Sequence, residues 1–154
     1  MKIRKCIGLL ILIVAIILTV GCSNQNTLKG KSAKEILEYH FKTMNDKNVN
    51  EYVKTISERK KNNSGEINFD YLESIKIINV EEETDSNYKK SYLHNGSGRD
   101  YGITEDDVKV YKVKFDVKYK EGAITSQDSG IDAQWFYAIR KTSDSQWVID
   151  DSGY

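Results

Sequence analysis

His40 is the residue of this chain whose type and position most readily suggest chemistry. It shares one face of an amphipathic stretch with Ala33, Ile36, Leu37 and Met44, at i, i+3 and i+4 spacing. A buried imidazole beside a carboxylate acts as a general base near neutral pH. Asp132, just before an aromatic-rich segment, and Asp70 are the carboxylates considered as partners, and spacing assigns neither of them to His40. The plainer reading is a core histidine bonded to a tyrosine hydroxyl or a backbone carbonyl, readily supplied in a chain with ten tyrosines.

The other chemistry-bearing residues have plain explanations. His94 stands in His94-Asn95-Gly96-Ser97-Gly98-Arg99, a glycine-rich segment that can hold an anion on its amides. No clear strand precedes it and no Lys-Ser pair follows, so it reads as a surface loop rather than a phosphate cradle. The acidic runs at 81–83, 105–107 and 150–151 lack the alternating oxygen ligands and central glycine of a calcium loop. They read as solvated charge, with Asp150 and Asp151 ending a strand. Neither a metal nor a cofactor is expected. Lys112, Lys114, Lys118 and Lys120 share a strand face that meets an acidic partner or keeps the sheet soluble. No local signature of a Ser-His-Asp or Cys-His nucleophile is present.

The elements that must position these residues follow from periodicity. Ser32 and Glu35 form a capping box ahead of the His40 helix. Asn48 and Glu51 cap a second helix carrying Val49, Tyr52, Val53 and Ile56. Glu58 to Gly65 reads as a charged loop, and Phe69 to Leu72 as a short helical turn. A β-branched run from Ser74 to Glu83 changes its apolar parity between Ile77 and Ile78, the mark of a bulge or of two covered faces. Asp85 to Asp107 is polar, with room for an irregular strand near Tyr88 to Leu93. Val108 to Lys120 alternates apolar and charged residues with period 2, and Gln134 to Lys141 and Gln146 to Asp150 make a closing hairpin. Helices first and antiparallel strands after imply an α+β domain.

The two ends of the chain differ in kind. Met1-Lys2-Ile3-Arg4-Lys5 is basic, and Ile7 to Val20 is almost wholly aliphatic up to Gly21-Cys22. This stretch resembles the bacterial lipoprotein signal, which implies cleavage before Cys22 and attachment of diacylglycerol, with palmitate, to its sulfur. An uncleaved signal anchor is the alternative, since Cys6 to Cys22 is nearly long enough to span a bilayer. Either way Lys2, Arg4 and Lys5 stay inside and the globular part outside. The expected organisation is a signal peptide over 1–21, a flexible tether over 22–31 and one domain over 32–154. The chain from Cys22 on holds 20 basic and 23 acidic residues, so a nucleic-acid partner is not expected.

The helix pair, with Asp46 in its turn, and the endings Trp135-Phe136-Tyr137-Ala138-Ile139-Arg140 and Trp147-Val148-Ile149-Asp150-Asp151-Ser152-Gly153 resemble the cystatin-like, or nuclear-transport-factor-like, superfamily. Within it they are most similar to small Gram-positive lipoproteins built on a domain of unknown function, the DUF4829 type. The resemblance implies a helix pair on a curved antiparallel sheet enclosing a cone, into which His40 would point. It also implies a range of activities, from isomerases and dehydratases to binding domains. The function expected is a non-enzymatic lipoprotein on the outer face of the cytoplasmic membrane, binding a small molecule or protein. The alternative is a small isomerase or dehydratase working beside His40.

Overall fold

A computed structural model describes residues 28–154. The stretch expected as a signal peptide, Cys22, and the expected tether as far as Thr27 lie outside the described residues. The first helix, α1 (Ala33–Asn45), starts at the expected capping box. The Ser32 hydroxyl accepts from the Glu35 N–H at 3.2 Å, and the Glu35 carboxylate accepts from the Ser32 N–H at 2.8 Å. Its apolar stripe buries Ile36, Leu37, His40 and Phe41. Burying an aliphatic or aromatic side chain of that size contributes about 1.5–3 kcal/mol, enough to fix which face turns inward.

Lys47 adopts a left-handed φ of 56° in the turn out of α1, and Asn48 then caps α2 (Val49–Tyr52), which tightens into a 3-10 turn over Val53–Thr55. Ile56 leaves in extended form and makes a parallel bridge to Ile149. The segment expected as a loop from Glu58 is instead α3 (Glu58–Asn63), capped by the Ser57 hydroxyl on the Lys60 N–H at 3.1 Å. The Ser57-Glu58 pair carried that signal: an N-cap followed by an acidic first turn.

Four antiparallel strands run in sequence order: β1 (Leu72–Glu82), β2 (Val108–Tyr119), β3 (Gly130–Ile139) and β4 (Val148–Gly153). In β1 the register shifts between Ile77 and Asn79, which puts a bulge at the point where the apolar parity changes. The short turn expected over Phe69 to Leu72 is present as a single hydrogen-bonded turn, with the Leu72 N–H donating to the Phe69 carbonyl at 3.0 Å, and β1 opens at Leu72. The segment Tyr88 to Leu93, expected as strand if structured, belongs to a helix, α4 (Ser86–His94), capped by Asp85. Tertiary packing decides it: Tyr88, Tyr92 and Leu93 meet the sheet at helical spacing.

β2 explains how the sheet is covered. Tyr111, Val113, Phe115 and Val117 point to the α1 face and form the main core with Leu37, Phe41 and Phe136. Val108 and Val110 point the other way, beneath α4, in a second cluster with Tyr92 and Ile139. Further along that second face Lys112, Lys114 and Lys118 are exposed. At the start of the described chain Leu28 is 4% exposed and packs in the main core, so packing begins ahead of the Ser32 cap. No helix among the described residues is long and apolar enough to cross a membrane.

Candidate functional site

The inward alternation of β3 places Asp132, Gln134 and Phe136 on the face turned to α1, where His40 is 2% exposed. His40 packs against Tyr52, with ring centroids 4.7 Å apart, and lies edge-on to Phe136 at 6.4 Å. Its Nδ1 is 2.7 Å from the Thr55 hydroxyl oxygen, which in turn lies 2.6 Å from the Tyr52 carbonyl oxygen. A carbonyl only accepts, so the Thr55 proton is committed to Tyr52 and Thr55 must accept from His40 Nδ1–H. The ring is therefore the Nδ1–H tautomer, and Nε2 carries a free lone pair.

That lone pair has somewhere to go. Nε2 has no hydrogen-bond partner among the described residues, and since no sealed side-chain nitrogen or oxygen among them lacks one, Nε2 is not sealed; His40 lines an open cavity of about 140 Å³. The base of the cavity is apolar, made by Phe41, Tyr52, Ile75, Phe115 and Phe136 around the imidazole. Its mouth is polar, made by Lys60, Tyr119, Gln127, Gln134 and Ser152. Burial, assisted by the nearby charge of Lys60, lowers the His40 pKa to about 3, so the ring is neutral at physiological pH. Burial likewise lowers the pKa of Lys60, against the pull of Asp151 and Asp150. Lys60 has no salt-bridge partner within 4.0 Å among the described residues, and its side-chain hydrogen bond is a long one to Ser152 at 3.4 Å.

The carboxylates considered for His40 lie elsewhere. Asp70 is exposed in the turn before β1, outside the cavity wall. Asp132 stands one step beyond Gln134 along β3 and makes no hydrogen bond to His40. It accepts from Tyr154 at 2.6 Å, Gln127 at 3.0 Å and Gln134 at 3.2 Å. Burial works against its charge, and the bonds from Tyr154, the Ala133 N–H and Gln134 outweigh it, holding its pKa low. Asp132 thus orients the two amides at the mouth without reaching the imidazole. Lys60, Gln127, Gln134 and Thr55 were not singled out from sequence. For Gln134 the signal was available, since it lies two residues from Phe136 on the alternating strand.

Asp150, expected to end a strand in solvent, is fully buried within β4. Arg59 donates to it through Nη2 at 3.0 Å and also to its main-chain carbonyl at 2.6 Å, while Tyr92 and Tyr101 donate at 2.7 and 2.6 Å. Burial disfavours its charge, yet bonds from Ser57, Tyr101, Arg59 and Tyr92 prevail and keep its pKa below the usual range. It lies outside the wall of the His40 cavity and ties α3, α4 and the strand hairpin together. His94 ends α4, and the glycines after it serve packing: a Cβ on Gly98 would come within 2.3 Å of the Tyr92 ring. No group of three or more His, Cys, Asp or Glu among the described residues is placed to hold a metal ion.

A family model, "Domain of unknown function (DUF4829)", matches residues 34–153, from the start of α1 to the end of β4. The chain belongs to the DUF4829 family. No curated protein and no solved structure is significantly similar to it. Both the His40 cavity and the Asp150 cluster lie within the DUF4829 match.

Proposed function

We propose that this DUF4829 protein is a lipid-anchored binding domain on the outer face of the cytoplasmic membrane, of cystatin-like fold, whose His40 cavity takes up a small molecule without transforming it. Cys22 is the lipid site on this reading and the described domain hangs from it. The observation that carries the binding role is that a 2% exposed histidine, whose Nε2 has no partner among the described residues, lines a cavity of about 140 Å³. That volume is close to the roughly 150 Å³ of a buried engineered cavity that accepts benzene, and below the usual 300 Å³ or more of larger ligand sites. A ring-sized occupant fits.

The isomerase or dehydratase alternative is weaker on the same geometry. A general base works best with a pKa near the operating pH, and His40, at about 3, is far too acidic as an imidazolium to gather a proton there. No carboxylate among the described residues is bonded to it to raise that value. The test is mass spectrometry of the protein extracted from intact membranes under native conditions. The expected result is a diacylglyceryl group on Cys22 and a small molecule released unchanged on unfolding. An intact Met1 would refute lipid attachment at Cys22 in favour of the uncleaved signal anchor, and a bound species converted over time would refute the non-enzymatic role.

A further inference from the structure

Two polar groups at the cavity have unmet bonding capacity, and they are of opposite kinds. His40 Nε2 offers a lone pair and cannot donate, because the ring proton is committed on Nδ1 to Thr55. The Lys60 ammonium offers donors and cannot accept, and among the described residues it has only the 3.4 Å contact to Ser152. Tyr52, Phe136 and Phe41 line the same cavity. An apolar molecule would leave both polar groups unsatisfied, and a cation would meet Lys60 with like charge.

Resting on the reading of this cavity as a binding site, we infer that its ligand is a small ring-bearing monoanion that also carries an O–H or N–H group. The ring fills the aromatic base, the O–H or N–H donates to His40 Nε2, and the anionic oxygen lies at the mouth on Lys60. Gln127 and Gln134, whose amide N–H groups are held by Asp132 and the Tyr154 hydroxyl, line the same cavity and leave Lys60 as a free donor among the described residues. Each of the three features is matched by a different part of the wall, so each can be removed separately in a probe.

The experiment is a titration of the full domain, with 15N-labelled histidine, against 3-hydroxybenzoate, benzoate, phenol and benzylamine, followed by the ring nitrogens of His40. The expected result is binding of 3-hydroxybenzoate with a shift of Nε2. Benzoate and phenol should each bind about tenfold more weakly, and benzylamine should leave the signal unmoved. Lys60→Met should reduce 3-hydroxybenzoate affinity about tenfold and leave phenol affinity unchanged. The wild-type nitrogen signal carries the donor half of the argument, so no folding-sensitive substitution of His40 is needed. Equal binding of benzoate and benzylamine would overturn the inference. If no ring probe binds while acetate or acetamide shifts Nε2, the ligand class is wrong and the cavity still stands as a site. If nothing shifts Nε2, both readings fall.

Discussion

The Tyr92 hydroxyl donates to Oδ2 of Asp150 at 2.7 Å, joining α4 to β4 across 58 residues of chain. Arg59 brings α3 to the same carboxylate. Removing one partner of a buried charge pair costs about 3–5 kcal/mol, because the other is left without its counter-charge. Asp150→Asn should therefore lower unfolding stability by an amount at or just below that range, since Arg59 is partly exposed. Tyr92→Phe, which removes one hydrogen bond to a charged group, should cost about 1.5–3 kcal/mol. Urea unfolding of the two variants checks both. Asp150→Asn as harmless as a surface change would mean the cluster is not a structural hub.

Stability should fall in mild acid because of His40. Unfolded, the imidazole has a pKa near 6.5; folded, it is lowered to about 3. Between those values the unfolded chain holds a proton that the folded chain does not, so protonation pulls toward unfolding. The contribution is complete above about pH 6.5 and is lost at up to about 1.4 kcal/mol per pH unit as the pH falls. From pH 7 to pH 5 the loss is about 2 kcal/mol. Unfolding curves of wild type and His40→Gln across that range should differ in slope by this amount. Parallel curves would show that the ring is not held neutral.

Lys60 and His40 act on one another through the same cavity. The lysine charge lowers the imidazole pKa, second to burial. Lys60→Met keeps the stem and removes the charge, so the His40 pKa should rise while staying below 6.5. Titration of the His40 ring carbon signals by NMR reads the change. No rise would place the lysine charge in the solvent rather than at the cavity mouth.

The entry to α1 is worth a measurable amount. Ser32 and Glu35 satisfy each other's backbone N–H groups, and Ser32→Ala should cost about 1 kcal/mol by loss of the cap. A thermal melt detects this as a fall of a few degrees in Tm for a domain of this size. An unchanged Tm would mean that the packing of Leu28 already fixes the helix start.

Much of the fold was legible where local and tertiary demands agree. The Ser32 capping box, the i, i+3, i+4 stripe around His40 and the alternation of Tyr111 to Tyr119 each serve one local rule and one packed surface at once. The misread segments were those whose structure depends on a distant partner. Tyr88, Tyr92 and Leu93 have the bulk of a strand, and they form a helix because the sheet surface at Val108 and Val110 needs covering. Asp150 looks like a solvent-facing strand end until Arg59, Tyr92 and Tyr101 converge on it. The candidate site divides in the same way. His40 could be placed on an inward face, but its neighbours Thr55, Lys60 and Gln134 come from separate elements, and no spacing along the chain announces them.

The outer margins of the sheet remain. β4 is flanked by the Ile56 bridge and by the Ser57 N–H, which donates to the Ile149 carbonyl at 3.0 Å. β1, the opposite margin, is broken in register at Ile78 and carries Glu81 and Glu82 at its end. A straight margin with open amide and carbonyl rows is what one protein molecule uses to add another by strand pairing. Here one margin is occupied by the chain itself and the other is kinked and charged. Copies held side by side at high local density should stay separate particles rather than join into a ribbon.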